Sequence, residues 1–316
     1  MKHLLFACCF LGLLAGQKAL SQEKPFVLEG GLSFNAMNAL TDLGGKPGIG
    51  RTFIKDLNIG YTYFSLGLYA GALYDSKVGL RVEGTLGKLS AHDSVLRNVK
   101  TSDIARARYN RNLGYRSNIK EIALIGEVHF YYLIKLLFDS EAYAPRYSPY
   151  LLGGIGYFSF KPQTKLGDNW IDLQPLHTEG QGFKEYPGKK NYKLNQVNAP
   201  LGGGIKFNFS NRLTIRGEFI LRKLFTDYLD DLSTTYINPA VFSNYLTGAD
   251  LANALVLHDR QLIKVTDPNG GSKRGTATQN DSYFTFNLKA GLTFGRQGGS
   301  SLSQLQKRQL SCPKFF

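Results

Sequence analysis

Cysteine is scarce in this 316-residue chain, which has three, and two of them, Cys8 and Cys9, stand close to the N-terminus. If the N-terminal segment is removed, Cys312 remains alone, and a single cysteine cannot form an internal disulfide. We expect an unpaired thiol near the C-terminus, with an intermolecular link as the less favoured alternative. Internal disulfides are therefore excluded as a source of stability in the mature chain.

Long apolar runs are also lacking. Beyond the N-terminus, no stretch reaches the roughly 18 apolar residues expected of a transmembrane helix. Lipid offers no hydrogen-bond partners to backbone N–H and C=O groups, so the other spanning structure is a closed β-sheet. If this chain crosses a membrane, it must do so as a barrel.

Residues 1–21 have the pattern of a secretory signal peptide. A basic start, Met1-Lys2-His3, precedes an apolar run from Leu4 to Ala15, and Ala19 and Ser21 occupy the −3 and −1 positions if cleavage precedes Gln22. A lipoprotein signal at Cys8 is disfavoured, because little hydrophobic sequence precedes it. We predict export through a cleaved signal peptide.

Signatures of catalysis and metal binding are missing as well. The sequence contains neither G-x-S-x-G nor H-E-x-x-H, and His177 and His258 have no serine or acid at a diagnostic spacing. Asp227, Asp230 and Asp231 lack the staggered oxygen ligands of a calcium loop, so we interpret them as acids in the first turn of a short helix. We predict no enzyme activity, no cofactor, no metal and no catalytic residues.

The chain is basic. Removing Lys2 and Lys18 with the signal peptide lowers the formal charge from +14 to +12. Such a balance can indicate nucleic-acid binding, but the export signal and the scattered distribution of the basic residues argue against it. We predict contact with outer-membrane lipids and lipopolysaccharide, and no nucleic-acid partner.

What the chain has in abundance is alternation of apolar and polar residues with the period of a β-strand. It is clearest from Gln196 to Arg222, where two arms meet at Ser210-Asn211-Arg212. Similar alternation predicts eight strands of roughly the 9–11 residues that cross a bilayer. They cover residues 26–35, 61–74, 78–86, 118–132, 150–160, 196–209, 213–222 and 284–294.

The connections between these strands alternate between long and short. A sandwich gives no reason for this rhythm, whereas an outer-membrane barrel has long extracellular loops, short periplasmic turns and both termini in the periplasm. We predict an all-β fold, an eight-stranded antiparallel up-and-down transmembrane β-barrel with long extracellular loops in the cell outer membrane. The predicted division is a signal peptide at 1–21, the barrel at 22–295 and a C-terminal tail at 296–316.

The side chains predicted to face the barrel interior include acids and bases in balanced numbers. An eight-stranded barrel is just wide enough to be filled by side chains, and an unpaired charge inside it would be costly. We therefore predict a luminal charge network, with His129 hydrogen-bonded within it, rather than a diffusion pore. The network comprises Glu29, Arg81, Glu83, Glu121, Glu127, Lys206, Arg216, Glu218, Arg222 and Lys289.

Three stretches taken together resemble the PorG-like outer-membrane barrel family. They are Ser148–Leu151 running into Gly154–Phe158, Leu173–Leu176 followed by Thr178–Gly182, and Arg222–Lys223 followed by Phe225–Asp231 and Ser233–Tyr236. The resemblance implies a small outer-membrane barrel. For the secretion member it also implies a component of the type IX secretion system that associates with a periplasmic PorK–PorN ring. The resemblance implies no catalytic or ligand-binding residues.

The long loop Lys161–Tyr192 is too apolar for a solvated linker. We interpret it as a flap over the barrel mouth or a docking surface, with self-packing against neighbouring loops as an equal alternative. The candidate loop residues are Trp170, Gln174, Pro175, Glu179, Gly180, Gln181, Asp227, Asp230 and Asp231.

Three functions remain open at this point. The first is a non-enzymatic component of a type IX-like secretion machinery that anchors or organises a periplasmic ring. The second is a small-solute channel or a lipid-modifying barrel enzyme, and the third is a surface adhesin that uses the long loops.

Overall fold

The structure is a computed structural model that describes residues 26–46, 59–74, 77–130, 147–210, 212–264, 267 and 269–294. The predicted signal peptide, its cleavage site, the C-terminal tail and Cys312 lie outside the described residues. The predictions made for them therefore stay predictions.

The described chain is mostly strand. The strands are β1 (Phe26–Leu40), β2 (Tyr63–Tyr74), β3 (Val78–His92), β4 (Gly114–His129), β5 (Tyr147–Ser159), β6 (Pro162–Leu166), β7 (Asn169–Asp172), β8 (Asn195–Asn208), β9 (Leu213–Leu224), β10 (Thr235–Ile237), β11 (Gly270–Lys273) and β12 (Ser282–Phe294). The helices are α1 (Ala105–Arg111) and α2 (Gly248–Leu257), with 3-10 turns at Ile59–Tyr61, Asp93–Leu96, Gln174–Leu176 and Pro239–Asn244.

Eight of the strands form a closed barrel. Each pairs antiparallel with its neighbours in the order β1-β2-β3-β4-β5-β8-β9-β12, and β12 pairs back onto β1 from Leu28 opposite Phe294 to Leu40 opposite Ser282. Closure leaves no strand of the barrel with an unpaired edge. The predicted eight-stranded antiparallel barrel is confirmed.

Side chains alternate across the barrel wall because successive strand residues point to opposite faces. In β4 the charged Glu121 is buried inside, while Ile122 on the outer face is 67% exposed. On β2 the outward Phe64 is 89% exposed. The outer wall thus carries a band of large apolar side chains that a protein surrounded by water would ordinarily bury.

Two strands extend further than the alternation predicted. Residues 90–116 were expected to form a polar loop, but β3 continues to His92 and β4 begins at Gly114, with Ala91 opposite Tyr115. The extension occurs because Leu89, Ala91 and Tyr115 point inward and join a buried apolar cluster at the top of the barrel. The remaining part of that loop contains α1.

The described parts of the long connections, residues 41–46, 93–113, 160–194 and 225–281, fold into a cap on one end of the barrel. Its apolar core joins loop side chains such as Leu176, Phe183 and Phe242 to inward-facing strand residues such as Met37 and Phe158. The cap therefore packs directly onto the barrel mouth. Two hairpins lie within it, β6–β7 and β10–β11.

No helix among the described residues is both long enough and apolar enough to cross a bilayer.

Candidate functional site

The ten residues predicted for the luminal charge network all lie inside the barrel and are buried. Arg81 is the first of its centres. Its guanidinium nitrogens lie 2.6 Å from Glu83, 2.6 Å from Glu127 and 2.9 Å from Glu218. One arginine on β3 thereby holds carboxylates from β3, β4 and β9.

Arg216 is the second centre. Its Nε lies 2.7 Å from Glu29 and its Nη1 lies 2.9 Å from Glu127. Glu29 is also 2.8 Å from the Lys206 ammonium and accepts a 2.8 Å hydrogen bond from the Tyr69 hydroxyl. Because Glu127 contacts both Arg81 and Arg216, the two centres form one continuous network.

The remaining members complete the pairing. Lys289 contacts Glu83 and lies 2.9 Å from Glu218, which also accepts a hydrogen bond from Tyr150. Nearer the cap, Arg222 lies 2.6 Å from Glu121. Five acidic and five basic side chains are thus each in at least one ion pair.

The network leaves little free space inside the barrel. A cavity between Glu29, Tyr69, Arg81 and Arg216 has a volume of about 10 Å³. That is room for about one water molecule. The interior described here is a packed ionic core.

Changing Arg216 to Ala should destabilise the barrel by about 3–5 kcal/mol, because Glu29 and Glu127 would each lose a buried partner. Urea unfolding of the protein refolded into liposomes measures the change. Arg212→Ala, an exposed arginine in the turn before β9, is the matched control and should change the free energy of unfolding by less than about 0.5 kcal/mol. Equal stabilities for the two variants would contradict a structural role for the network.

His129 lies in this interior, between Ser148 and Glu127. Its Nδ1 is 2.8 Å from the Ser148 hydroxyl oxygen, and its Nε2 is 3.2 Å from Glu127. The chain serine–histidine–carboxylate is that of serine hydrolases, but there Nε2 contacts the serine and Nδ1 the carboxylate. The ring here has the opposite order, and Glu127 is also held by two arginines.

The candidate loop residues occupy three places in the structure. One group meets at the centre of the cap, around the buried carboxylate of Glu179. It accepts hydrogen bonds from Ser233 N at 3.1 Å, from Thr234 N at 2.8 Å and from the Thr234 hydroxyl at 2.7 Å, and lies 3.0 Å from Arg274. Loop 173–182 is thereby tied to loop 226–236.

Asp231 makes a second link between the same loops. It accepts hydrogen bonds of 2.6 Å from the Thr178 hydroxyl and 2.7 Å from the Tyr192 hydroxyl. Burial raises the pKa of Asp231 to about 6, although both hydrogen bonds favour the ionised form. The carboxylate joins three separate positions of the cap.

The neighbouring candidates shape the backbone of this link. Gly180 has a φ of +76°, and a Cβ there would lie 2.8 Å from Tyr186, so the position favours glycine. The Gln181 side chain accepts a 3.1 Å hydrogen bond from Glu179 N, and Gln174 donates one of 3.4 Å to Tyr192 O. Pro175 is the second residue of the 3-10 turn Gln174–Leu176. Loop 161–192 is therefore largely self-packed against neighbouring loops.

Trp170 is separate from this centre. It lies on β7, 40% exposed, and the Arg116 guanidinium stacks 3.6 Å from its ring centroid. The β6–β7 hairpin, which the sequence pattern did not predict, holds Trp170 apart from Glu179 within the same loop.

The interpretation of Asp227, Asp230 and Asp231 as the first turn of a helix is wrong. Residues 225–234 are bends and turns, and Asp231 has a φ of +63°. A residue outside the turn stabilises it: the backbone N–H of Leu229 donates a 2.9 Å hydrogen bond to the carboxylate of Asp281. Side-chain acceptors replace the hydrogen bonds that a helix would have supplied.

Asp227 and Asp230 instead join Asp42 and Asp281 in a buried acid cluster. Burial, together with the charges of Asp42 and Glu179, raises the pKa of Asp227 to about 7. Burial also raises the pKa values of Asp230 and Asp281 well above the ordinary range, and the other acids of the cluster add to the effect. Ionised carboxylates of the cluster would repel one another, and this repulsion favours protons shared between the carboxyl groups.

The nearest basic group, Arg111, is engaged by another acid. Its Nε and Nη2 each lie 2.9 Å from Asp93, and it donates to the backbone oxygens of Asp42 and Arg274. Within the described ranges, no three or more His, Cys, Asp or Glu side chains are arranged to hold a metal ion. Sequence reasoning missed Asp42, Arg111, Arg274 and Asp281, since they lie far from Asp227 and Asp230 in sequence and belong to no local motif.

The acid cluster should make cap stability depend on pH. Because the pKa of Asp227 rises from 3.8 to about 7 on folding, the folded cap binds more protons than the unfolded chain. Its stability should be greatest in acid and fall as pH rises towards about 7, by about 1.4 kcal/mol for each unit of pKa elevation. Hydrogen exchange of the cap amides, corrected for intrinsic rates, measures this.

Asp227→Asn should flatten the pH profile and increase protection at about pH 8, because it removes a charge that the folded cap disfavours. Asp168→Asn, in the exposed β6–β7 turn, is the control and should leave the profile unchanged. Cap protection that rises with pH in the unmodified protein would contradict the assignment.

With this geometry in view, comparison with known proteins adds little. The sequence matches no family model and no curated protein. Among solved structures it is similar to Neisserial surface protein A (8% identity, 85% of this chain, 97% of that chain, TM-score 0.36), a major outer membrane protein of Thermus thermophilus (11%, 84%, 99%, 0.36) and E. coli outer membrane protein W (13%, 87%, 100%, 0.33).

TM-scores this low decide nothing about this chain, so its class rests on its own geometry. A closed eight-stranded barrel with an apolar outer wall and a charged interior is the architecture of outer-membrane β-barrels. The chain is a protein of that class.

Proposed function

We propose that the protein is a non-enzymatic outer-membrane component of a type IX-like secretion machinery, where it anchors a periplasmic ring of the PorK–PorN kind. The observation that carries the proposal is the filled interior. Ten paired charges occupy the lumen and the cap packs onto its mouth. A barrel whose described interior is filled with paired side chains is suited to act through its surfaces, as an anchor does.

The stretches that resemble the PorG-like family support this proposal by their positions. Phe158 of the first stretch lies in the same buried cluster as Leu176 of the second and Leu229 of the third. The second and third are also joined through Glu179 and Asp231. Residues far apart in sequence thus form one connected unit, as a shared fold requires.

The two ends of the barrel suggest where a ring would dock. The cap end carries the long loops and faces outward if the termini are periplasmic. The other end carries the short turns, with Lys77 between β2 and β3 and Arg212 between β8 and β9. We assign the periplasmic contact to this short-turn end.

Reversing both charges at the short-turn end, Lys77→Glu with Arg212→Glu, should reduce recovery of periplasmic ring proteins at least tenfold. The measurement is affinity purification of the tagged full-length protein from gently solubilised outer membrane, with mass spectrometry of the bound proteins. Lys184→Glu with Lys190→Glu in the cap is the matched control and should leave recovery unchanged. Recovery of no ring proteins by the unmodified protein would refute the secretion role.

A small-solute channel is the weaker alternative. Conduction requires a continuous polar path or a lining of one sign, whereas this interior has equal numbers of both signs and a cavity of about 10 Å³.

The cap favours a surface adhesin over a channel, because it presents the apolar side chains of Leu262 and Ile263 to solvent. Hydrogen bonds between Asn110 and the backbones of both residues hold them in place. Residues of loop 161–192 belong to the cap core. Deleting this loop would therefore disturb the fold of the cap as well as any adhesive surface.

A lipid-modifying enzyme is favoured by one observation, the Ser148–His129–Glu127 chain. Ser148 is only 4% exposed and lies within the packed interior, so we infer a structural role for the chain. A fluorophosphonate probe should therefore not label Ser148 in the folded protein, and His129→Ala should not change phospholipid or lipid A turnover. Stoichiometric labelling that Ser148→Ala abolishes would establish the enzyme instead.

A further inference from the structure

The β6–β7 hairpin continues the outer surface of the barrel beyond the end of β5, beside the first residues of β4. Arg116 pairs in register with Gln163 and Ser117 with Pro162, and the Arg116 Nε donates a 3.1 Å hydrogen bond to the Gln163 side chain. Because alternate residues share a face, Arg116 lies on the same side of β4 as Lys120 and Ile122. The hairpin thus extends the lipid-facing wall.

Basic side chains follow directly above the apolar band on this wall. Lys120 lies opposite Leu86 on β3 and two residues above Ile122 on its own strand. Lys88 lies opposite Asn118, one step further from the band, and its ammonium is 5.8 Å from the Tyr63 ring centroid. The change from apolar to basic occurs on two neighbouring strands at the same height.

The hairpin adds further positive charge. Lys165 is exposed on β6, and Lys161, just before it, lies 2.7 Å from Asp172. We name Lys88, Arg116, Lys120, Lys161 and Lys165 the basic rim. The same hairpin carries two acids, Asp168 and Asp172, against the five basic side chains of the rim. The net charge favours an anionic partner.

Trp170 gives the basic rim an anchor. Its ring stacks on Arg116, which is held from the other side by Gln163. Tryptophan favours the boundary between hydrocarbon and water, because one part of its ring is apolar and its N–H needs a polar partner. Its exposed position beside basic residues is that of a side chain at headgroup level.

We propose that the basic rim and Trp170 bind the phosphate groups of a phosphorylated glycolipid of the outer leaflet. Two observations select this occupant: the rim is continuous with the lipid-facing band, and its net charge complements phosphate. The rim lies beside the cap core and outside the luminal network, so neither of them uses it. The proposal depends on the barrel class and is independent of the secretion role.

The test uses the full-length protein in phosphatidylcholine nanodiscs that contain diphosphoryl lipid A. Lys88→Gln, Lys120→Gln and Lys165→Gln together should weaken lipid A retention, measured by native mass spectrometry, at least tenfold, since each lysine near an anionic surface adds to the attraction for phosphate. Lys100→Gln, Lys184→Gln and Lys190→Gln remove equal charge from loop positions away from the rim and should retain lipid A like the unmodified protein.

Dephosphorylated lipid A should bind the unmodified protein as weakly as diphosphoryl lipid A binds the triple variant. Folding of every variant is checked by heat-modifiable gel mobility, and Lys120→Gln alone replaces the triple variant if the latter does not fold. Equal losses in the rim and control variants would overturn the proposal. Phosphatidylglycerol bound as tightly as lipid A at equal phosphate content would overturn the choice of a glycolipid.

Discussion

Lipid cannot solvate a charge or a backbone polar group, and this constraint governs the structure. The backbone groups of the eight long strands are satisfied because the sheet closes from β12 onto β1. The charged side chains are satisfied because they face each other across the interior. Closure and charge pairing depend on one another, since an open sheet would expose Arg81, Glu127 and Arg216 to lipid.

The pairing also specifies how the strands are arranged. Arg81 on β3 contacts Glu218 on β9, and Arg216 on β9 contacts Glu29 on β1. A strand displaced by one residue would turn its charges outward and its apolar side chains inward. The network thereby opposes incorrect registers of strands that are distant in sequence, which is a role buried ion pairs hold in some proteins.

The sequence was most informative where one physical rule governs many residues. Alternation of period two predicted the eight strands and the inward position of all ten charged residues, because the bilayer imposes the same two-sided environment on every strand. The cap follows no such rule. Asp42 and Arg111 come from other loops, and Arg274 and Asp281 come from the far end of the loop that holds Asp227 and Asp230. Only the folded structure could bring them together. Trp170 lies apart from Glu179 because a short hairpin, which the alternation did not predict, carries it.

The luminal charge network and the acid cluster of the cap differ in how their charges are balanced, and they should therefore respond differently to pH. Inside the barrel every carboxylate of the network has a cationic partner, and several of these partners are shared, so the charges neutralise one another. In the acid cluster Arg111 is already bound to Asp93, and the carboxyl groups of Asp227, Asp230 and Asp281 face one another. Protons can therefore enter or leave the cap while the barrel beneath it keeps its charges. The barrel supplies a rigid base, and the cap is the part whose stability the surroundings can change.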